Sequence, residues 1–164
     1  MGETMTFEPG NLPPNNVDGF PLNPYAKGLL KPFYKGKGGM IRLRDELVAE
    51  SDAMGQEAVN FEQRYNPWLN SIGIAVKRHK DKQQTATYLR WRDRGLKKMG
   101  DYFFERAMLW GDLSEPLRQQ LYDIEVKRCQ FNGRAGAINQ ELRNLRLAIE
   151  RLERAERLLN REIE

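Results

Sequence analysis

Apolar residues recur along the chain with three different spacings, and the changes of spacing divide it into elements. From Met40 to Tyr65 they fall at Met40, Leu43, Leu47, Met54, Ala58, Phe61 and Tyr65. Steps of three, four and seven place them on one stripe, which predicts an amphipathic helix over 40–65, about 39 Å long at ~1.5 Å per residue. Asn66–Pro67 is expected to end it, because a residue before proline is pushed out of the α region.

The spacing then changes to strict alternation over Ser71–Met99. Ile72, Ile74 and Val76 form one face of a first strand, and Thr85, Thr87, Leu89 and Trp91 the matching face of a second. Pairing Ile72 with Trp91, Ile74 with Leu89 and Val76 with Thr87 keeps that face apolar and puts the turn around Asp81–Lys82. A slip by one residue would reverse every side chain. Arg94–Gly95 can turn the chain again, so that Leu96–Met99 adds a short third strand. Asp101–Trp110 reads as a short helix capped by Asp101. Phe103, Ala107 and Trp110 lie on one side, with Phe104 and Met108 beside them, as a lid over the apolar face of the meander.

The third spacing is a heptad. Ser114 is the expected cap of the last helix, with Glu115 and Pro116 in its first turn. Leu117, Ile124, Phe131, Ile138, Leu145, Leu152 and Leu159 then recur every seven residues. Leu121, Arg128, Ala135, Leu142, Ile149, Glu156 and Ile163 stand at the companion positions, two of them polar. The predicted fold is α+β and mostly α. It has two long antiparallel helices, the last coiled-coil-like, with an inserted antiparallel β-hairpin or three-strand meander and a short aromatic helix.

Length poses a question for this arrangement. Ser114–Glu164 as one helix would span about 75 Å, nearly twice the first, so the first helix is expected to cover only half the seam. Either the chain bends back near Asn132–Gly136, where Gly133 and Gly136 each cost about 1 kcal/mol in a helix interior, or the distal half finds another partner. The second option makes Leu145, Ile149, Leu152 and Leu159 an oligomer or partner seam, with a homodimer favoured and a different protein partner possible.

Composition narrows the class. A chain of 164 residues, 40% hydrophobic and 30% charged, suits a single helical domain over 25–164. It follows an extended tail over 1–24 that holds five of the eight prolines and dispersed apolar residues such as Phe7, Leu12 and Phe20. Cys129 is the single cysteine and His79 the single histidine. Disulfides, zinc sites and Cys–His nucleophiles are therefore poorly supplied, and no metal or cofactor is expected. No apolar run approaches the ~20 residues of a membrane span, which makes a cytoplasmic protein the expectation, with no membrane partner.

The formal charge is only +4, but it is unevenly placed. Residues 77–98 hold nine Lys and Arg against Asp81 and Asp93, while 1–66 hold seven against nine acids. Such a concentrated block binds anions. Lys77, Tyr88, Arg90 and Arg92 share the polar face of the predicted hairpin, and Arg78, Lys80 and Lys82 flank its turn. Arg94, Lys97 and Lys98 follow the second strand. Together these ten are the expected nucleic-acid contacts: a two-stranded ribbon fits a major groove, cations displace counterions at phosphates, and Tyr88 can stack or hydrogen-bond. The same face could equally be a solvated one whose charges discourage edge pairing. Lys35, Lys37 and Gly38, in a glycine-rich turn before the first helix, are a secondary candidate for phosphate contact. KGKGG lacks P-loop spacing, so a nucleoside triphosphate is not expected there.

Three short segments, Lys27–Phe33 (KGLLKPF), Gly36–Gly38 (GKG) and Leu89–Arg92 (LRWR), resemble those of an uncharacterised protein family of bacterial integrating conjugative elements. Tyr34–Lys35 before Gly36 departs from that pattern. Some members of the family carry the label of integrase regulator. The resemblance implies a helical C-terminus and a role in DNA transactions. The expectation is thus a non-enzymatic DNA-binding accessory protein, most naturally acting on double-stranded DNA. The alternative is a helical adaptor that recruits a conjugation or recombination partner through its C-terminal seam. The acids lie dispersed along helix faces and suggest no catalytic set.

Overall fold

The computed structural model describes residues 36–80, 82 and 85–160. Helix α1 (Gly36–Leu69) leads through a single 3-10 turn (Asn70–Ile72) into strand β1 (Ile74–His79), which pairs with β2 (Tyr88–Asp93). The short helix α2 (Tyr102–Met108) and the long helix α3 (Glu115–Leu159) complete the described chain. The two long helices run antiparallel, α1 lying along α3 from Lys127 to Glu156. Lys37 meets Glu156, Met40 packs on Leu145 and Ile149, Glu57 pairs with Arg134, and Tyr65 accepts from Lys127. The expected α+β, mostly α architecture is the one observed. The tail over 1–24 lies outside the described residues.

Both long helices differ in extent from the sequence expectation, and the difference removes the length problem. Helix α1 begins four residues before Met40 and passes through Pro67 to Leu69. Gln63 and Pro67 are both exposed, so the carbonyl that Pro67 leaves without an N–H faces water. The 3-10 turn that follows ends at Gly73, whose φ of 82° lies in the left-handed region. At the other end, Gly39 and Met40 are buried, with Met40 packed on Leu145 and Ile149 of α3. Helix α3 is unbroken over 45 residues, about 68 Å, and contains Gly133 and Gly136 without a bend back.

Helix α1 therefore covers α3 almost to its last turn, and the expected free half-seam is not there. Every heptad position from Leu121 to Ile149 is buried, including Arg128. Leu145 (0% exposed) and Ile149 (5%) belong to the intramolecular core with Met40. Only the ends of the stripe emerge, at Leu117, Leu152 and Leu159.

The hairpin keeps its predicted faces but not its predicted register. Val76 stands opposite Trp91, Ile74 opposite Asp93 and Arg78 opposite Leu89. This is a shift of four residues from the expected pairing, and an even shift leaves inward side chains inward. Its cause lies in the connection. Instead of a tight turn at Asp81–Lys82, the strands are joined across residues 80–87, and the N–H groups of Thr85 and Ala86 donate to the Asn139 side chain on α3 rather than to β1. Ala86 is fully buried there. The third strand is reduced to a single bridge, Arg92 to Met99. The turn before it uses Leu96 at φ 57°, with its N–H on the Asp93 carbonyl.

Helix α2 covers the apolar face as expected. Phe103 and Ala107 are buried, and Phe104 stacks on Trp91 at 5.4 Å between ring centroids. Trp110, however, lies past the helix end and is 45% exposed. Asp101 makes no side-chain cap; it accepts from Arg128 instead.

Candidate nucleic-acid interface

A two-stranded sheet leaves two open edges, and in this molecule helix side chains close both. On β1, the Asn66 amide nitrogen donates to the Val76 carbonyl (2.8 Å) and its oxygen accepts from the Val76 N–H (2.8 Å). Glu62 Oε1 accepts from the Arg78 N–H at 2.5 Å. On β2, Asn132 makes the same reciprocal pair with Leu89 (2.8 and 2.9 Å). Each asparagine thus reproduces the donor–acceptor pattern of a neighbouring strand, which hides an edge that would otherwise invite pairing with another chain. What remains is the polar face of the hairpin, on which Lys77, Tyr88, Arg90 and Arg92 are half-buried around a buried Ala75.

Beneath the other face, Trp91 anchors a polar network. Its indole N–H donates to Glu125 Oε2 at 2.7 Å, and Arg128 grips both oxygens of Glu125 (2.7 and 2.8 Å). Arg128 also donates to the Leu89 carbonyl at 3.0 Å and lies 5.7 Å from the Trp91 ring. Burial raises the Glu125 carboxyl, but hydrogen bonds from Arg128 and Trp91 outweigh it and hold the group below the ordinary glutamate value. Burial lowers the Arg128 guanidinium, and its bonds to Glu125 more than compensate, keeping it above its usual range. The neighbouring Cys129 thiol is raised, by burial first and then by its hydrogen bond to Glu125. Trp91 is therefore a buried anchor, and Arg128 uses four of its five donors inside the molecule with its side chain only 9% exposed.

The predicted cations are divided by this arrangement. Pairing of Lys77 with Arg90, His79 with Tyr88 and Ala75 with Arg92 places Lys77, Tyr88, Arg90 and Arg92 on one face. Arg78 belongs by alternation to the opposite face. Lys80 and Lys82 lie in the connection at one end, whereas Arg94, Lys97 and Lys98 lie beyond β2 at the other, about 20 Å away over six residues at ~3.3 Å each. Lys77 and Arg78 both pair with buried Glu62 at 3.3 Å, and Arg92 donates to the Leu96 carbonyl. Among the described residues, Lys80, Lys82, Arg90, Arg94, Lys97 and Lys98 hold no ion pair. Tyr88 is fixed by the Asn139 amide, which donates to its hydroxyl at 2.9 Å.

The secondary candidate is rearranged. Lys35 lies outside the described residues, and the Gly36–Gly39 turn forms the first turn of α1. Lys37 sits 2.5 Å from Glu156 and Gly38 is exposed.

Sequence reasoning missed the asparagines that hold the hairpin. Asn132 and Asn139 stand seven residues apart beside the heptad seam, and asparagine is a poor helix former. A seven-spaced pair within so regular a helix is a signal that the helix carries polar contacts to a second element. Two clefts flank the segment between these contacts. One, of about 480 Å³, lies toward α1 between Gly55, Gln56 and Lys77. The other, of about 430 Å³, lies toward α3 and is lined by Thr85, Tyr88, Gly136, Gln140, Arg143 and Arg146.

No group of three or more His, Cys, Asp or Glu side chains that could hold a metal ion occurs among the described residues. No helix among them is long and apolar enough to cross a membrane. No known family, curated protein or solved structure matches this chain.

Proposed function

We propose that this protein is a non-enzymatic, cytoplasmic DNA-binding accessory or regulatory protein of a mobile genetic element, contacting nucleic acid through the basic face and ends of its hairpin. The observation that carries the reading is the state of Arg90. It lies at the centre of the polar face, half-buried, and its guanidinium makes no hydrogen bond or ion pair among the described residues, between a connection bearing Lys80 and Lys82 and a turn bearing Arg94, Lys97 and Lys98. Cations without carboxylate partners displace counterions at phosphates without first breaking an internal contact. The mobile-element part of the proposal rests on the resemblance of the short segments, of which LRWR places Arg90 and Arg92 beside the anchor Trp91.

Electrophoretic mobility shift of duplex DNA at several salt concentrations tests this. Binding should weaken linearly in log salt, with a slope of about −0.9 per phosphate neutralised. No binding at low salt, or a flat plot, overturns the proposal.

The second reading is a helical adaptor or homodimer working through the C-terminal end of α3. Exposed Leu152 (37%), Leu158 (55%) and Leu159 (81%) favour it. Because Leu145 and Ile149 are core residues, the informative substitutions are Leu152→Gln and Leu159→Gln. On this reading they abolish partner capture or dimerisation and leave DNA binding unchanged.

A further inference from the structure

The α3-side cleft combines features that the hairpin alone lacks. Arg143 projects from α3 with no ion pair among the described residues, and Arg146 donates to the Thr85 hydroxyl at 3.0 Å rather than to a carboxylate. The opposite wall is Tyr88, held in place by the Asn139 amide, which donates to its hydroxyl. Tyr88 also belongs to the hairpin face that carries Arg90, two residues along the same strand. The cleft therefore opens beside the basic face.

Two guanidiniums opposite a fixed aromatic ring have the chemistry of a nucleotide site. Arginine matches phosphate oxygens with paired donors, and an aromatic side chain can stack a base of any identity. Size and stacking select the form of nucleic acid. A cleft of about 430 Å³ falls within the ~300–1,000 Å³ range of small-ligand sites. It has room for one nucleotide, and a base can stack on Tyr88 only where it is unpaired. The hairpin, moreover, cannot act as a free ribbon, because helices cover both its edges.

We infer that the nucleic-acid surface continues off the hairpin into this cleft, where Arg143 and Arg146 take the phosphate of an unpaired nucleotide and Tyr88 faces its base. The partner is then a strand with single-stranded character, such as a DNA overhang. This inference rests on the DNA-binding reading proposed above but goes beyond it in naming residues of α3 and the unpaired strand.

Fluorescence anisotropy with the full chain separates the two. The probes are a labelled single-stranded oligonucleotide, the same sequence as blunt duplex, and that duplex with an unpaired overhang. The single strand and the overhang should bind about tenfold more tightly than the blunt duplex. Arg143→Gln, at an exposed position with no internal bond to lose, should remove that preference while blunt-duplex affinity changes less than twofold. Tyr88→Phe, which keeps the ring, should retain the preference; Tyr88→Ala should lose it. Equal binding of all three probes, or an unchanged preference in Arg143→Gln, overturns the inference and leaves the hairpin reading standing. If no probe binds, both fail. Competition by a mononucleotide as effective as the oligonucleotide assigns the cleft to a free nucleotide and also overturns it.

Discussion

Arg90 and Arg128 approach the same strand from opposite faces and have opposite fates. Arg128, from α3, donates to both oxygens of Glu125, to the Leu89 carbonyl and to Asp101, with its side chain only 9% exposed. The guanidinium of Arg90, the residue after Leu89, makes no hydrogen bond or ion pair among the described residues. One guanidinium is a structural cross-link between helix and hairpin; the other, half-buried on the polar face, has no such partner. A count of basic residues along a sequence cannot distinguish them. The partners do, and partners come from elements far apart in the chain.

The largest effect expected from this contrast is on stability. Arg128→Met removes the counter-charge of the partly buried Glu125 carboxylate, which keeps only its hydrogen bonds from Trp91 and Cys129, and should cost about 3–5 kcal/mol. Arg90→Met should stay within ~0.5 kcal/mol, as surface substitutions do. Urea unfolding of both variants measures the difference, and a comparable loss in Arg90→Met would break the comparison. Asn132 should rank next. Asn132→Ala strands the Leu89 N–H and should cost about 1–3 kcal/mol. Asn132→Asp should be worse still, because it keeps an acceptor for the N–H but sets a carboxylate against the Leu89 carbonyl.

On the ligand side the ranking reverses. Arg90→Glu combined with Lys97→Glu should reduce the salt dependence of duplex binding by at least about 0.9 per lost phosphate contact while the urea midpoint hardly moves. Acid titration sharpens the contrast further. The Glu125 carboxyl is depressed in the folded state, so its contribution is complete above the unfolded value of about 4.3 and is lost as pH falls through the lower folded value. Stability of the native protein should therefore decline more steeply below about pH 5 than that of Glu125→Gln, whose baseline is lower but flatter. The smallest effect is on Cys129. Its raised thiol should react more slowly with iodoacetamide near neutral pH than a free cysteine does, by a few-fold, and Glu125→Gln should restore part of that rate.

Much of the fold was legible because helix and strand periods are local. Seven-residue spacing identified every buried position of α3 between Leu121 and Ile149, and alternation identified the inward face of the hairpin. Parity survived even where register did not, since burial dictates which side a residue faces but not which of two even offsets is chosen. That choice was made by Asn139, fifty residues away, through bonds to Thr85 and Ala86. The same limitation applied to the helix ends. The helix continues through Pro67, where the carbonyl it leaves without an N–H lies on an exposed side, and that exposure is a tertiary fact. Of the candidate site, composition located the charge and alternation grouped Lys77, Tyr88, Arg90 and Arg92. It could not reveal that Glu62 neutralises Lys77 and Arg78, or that Arg143 and Arg146 stand beside Tyr88.

The asparagine clasps also impose an order of events on synthesis. The clasp on β1 comes from Asn66, made before the strand, so that edge can close as soon as Val76 has left the ribosome. The clasps on β2 come from Asn132 and Asn139, which follow Leu89 by 43 and 50 residues. At ~5–20 residues per second, the second edge stays open for several seconds after the hairpin itself has been made. In that interval the hairpin is a half-finished sheet with one live edge, and it becomes a finished one only when the middle of α3 emerges. A truncation that stops before Asn132 should therefore yield a chain with an exposed strand edge and a tendency to self-associate.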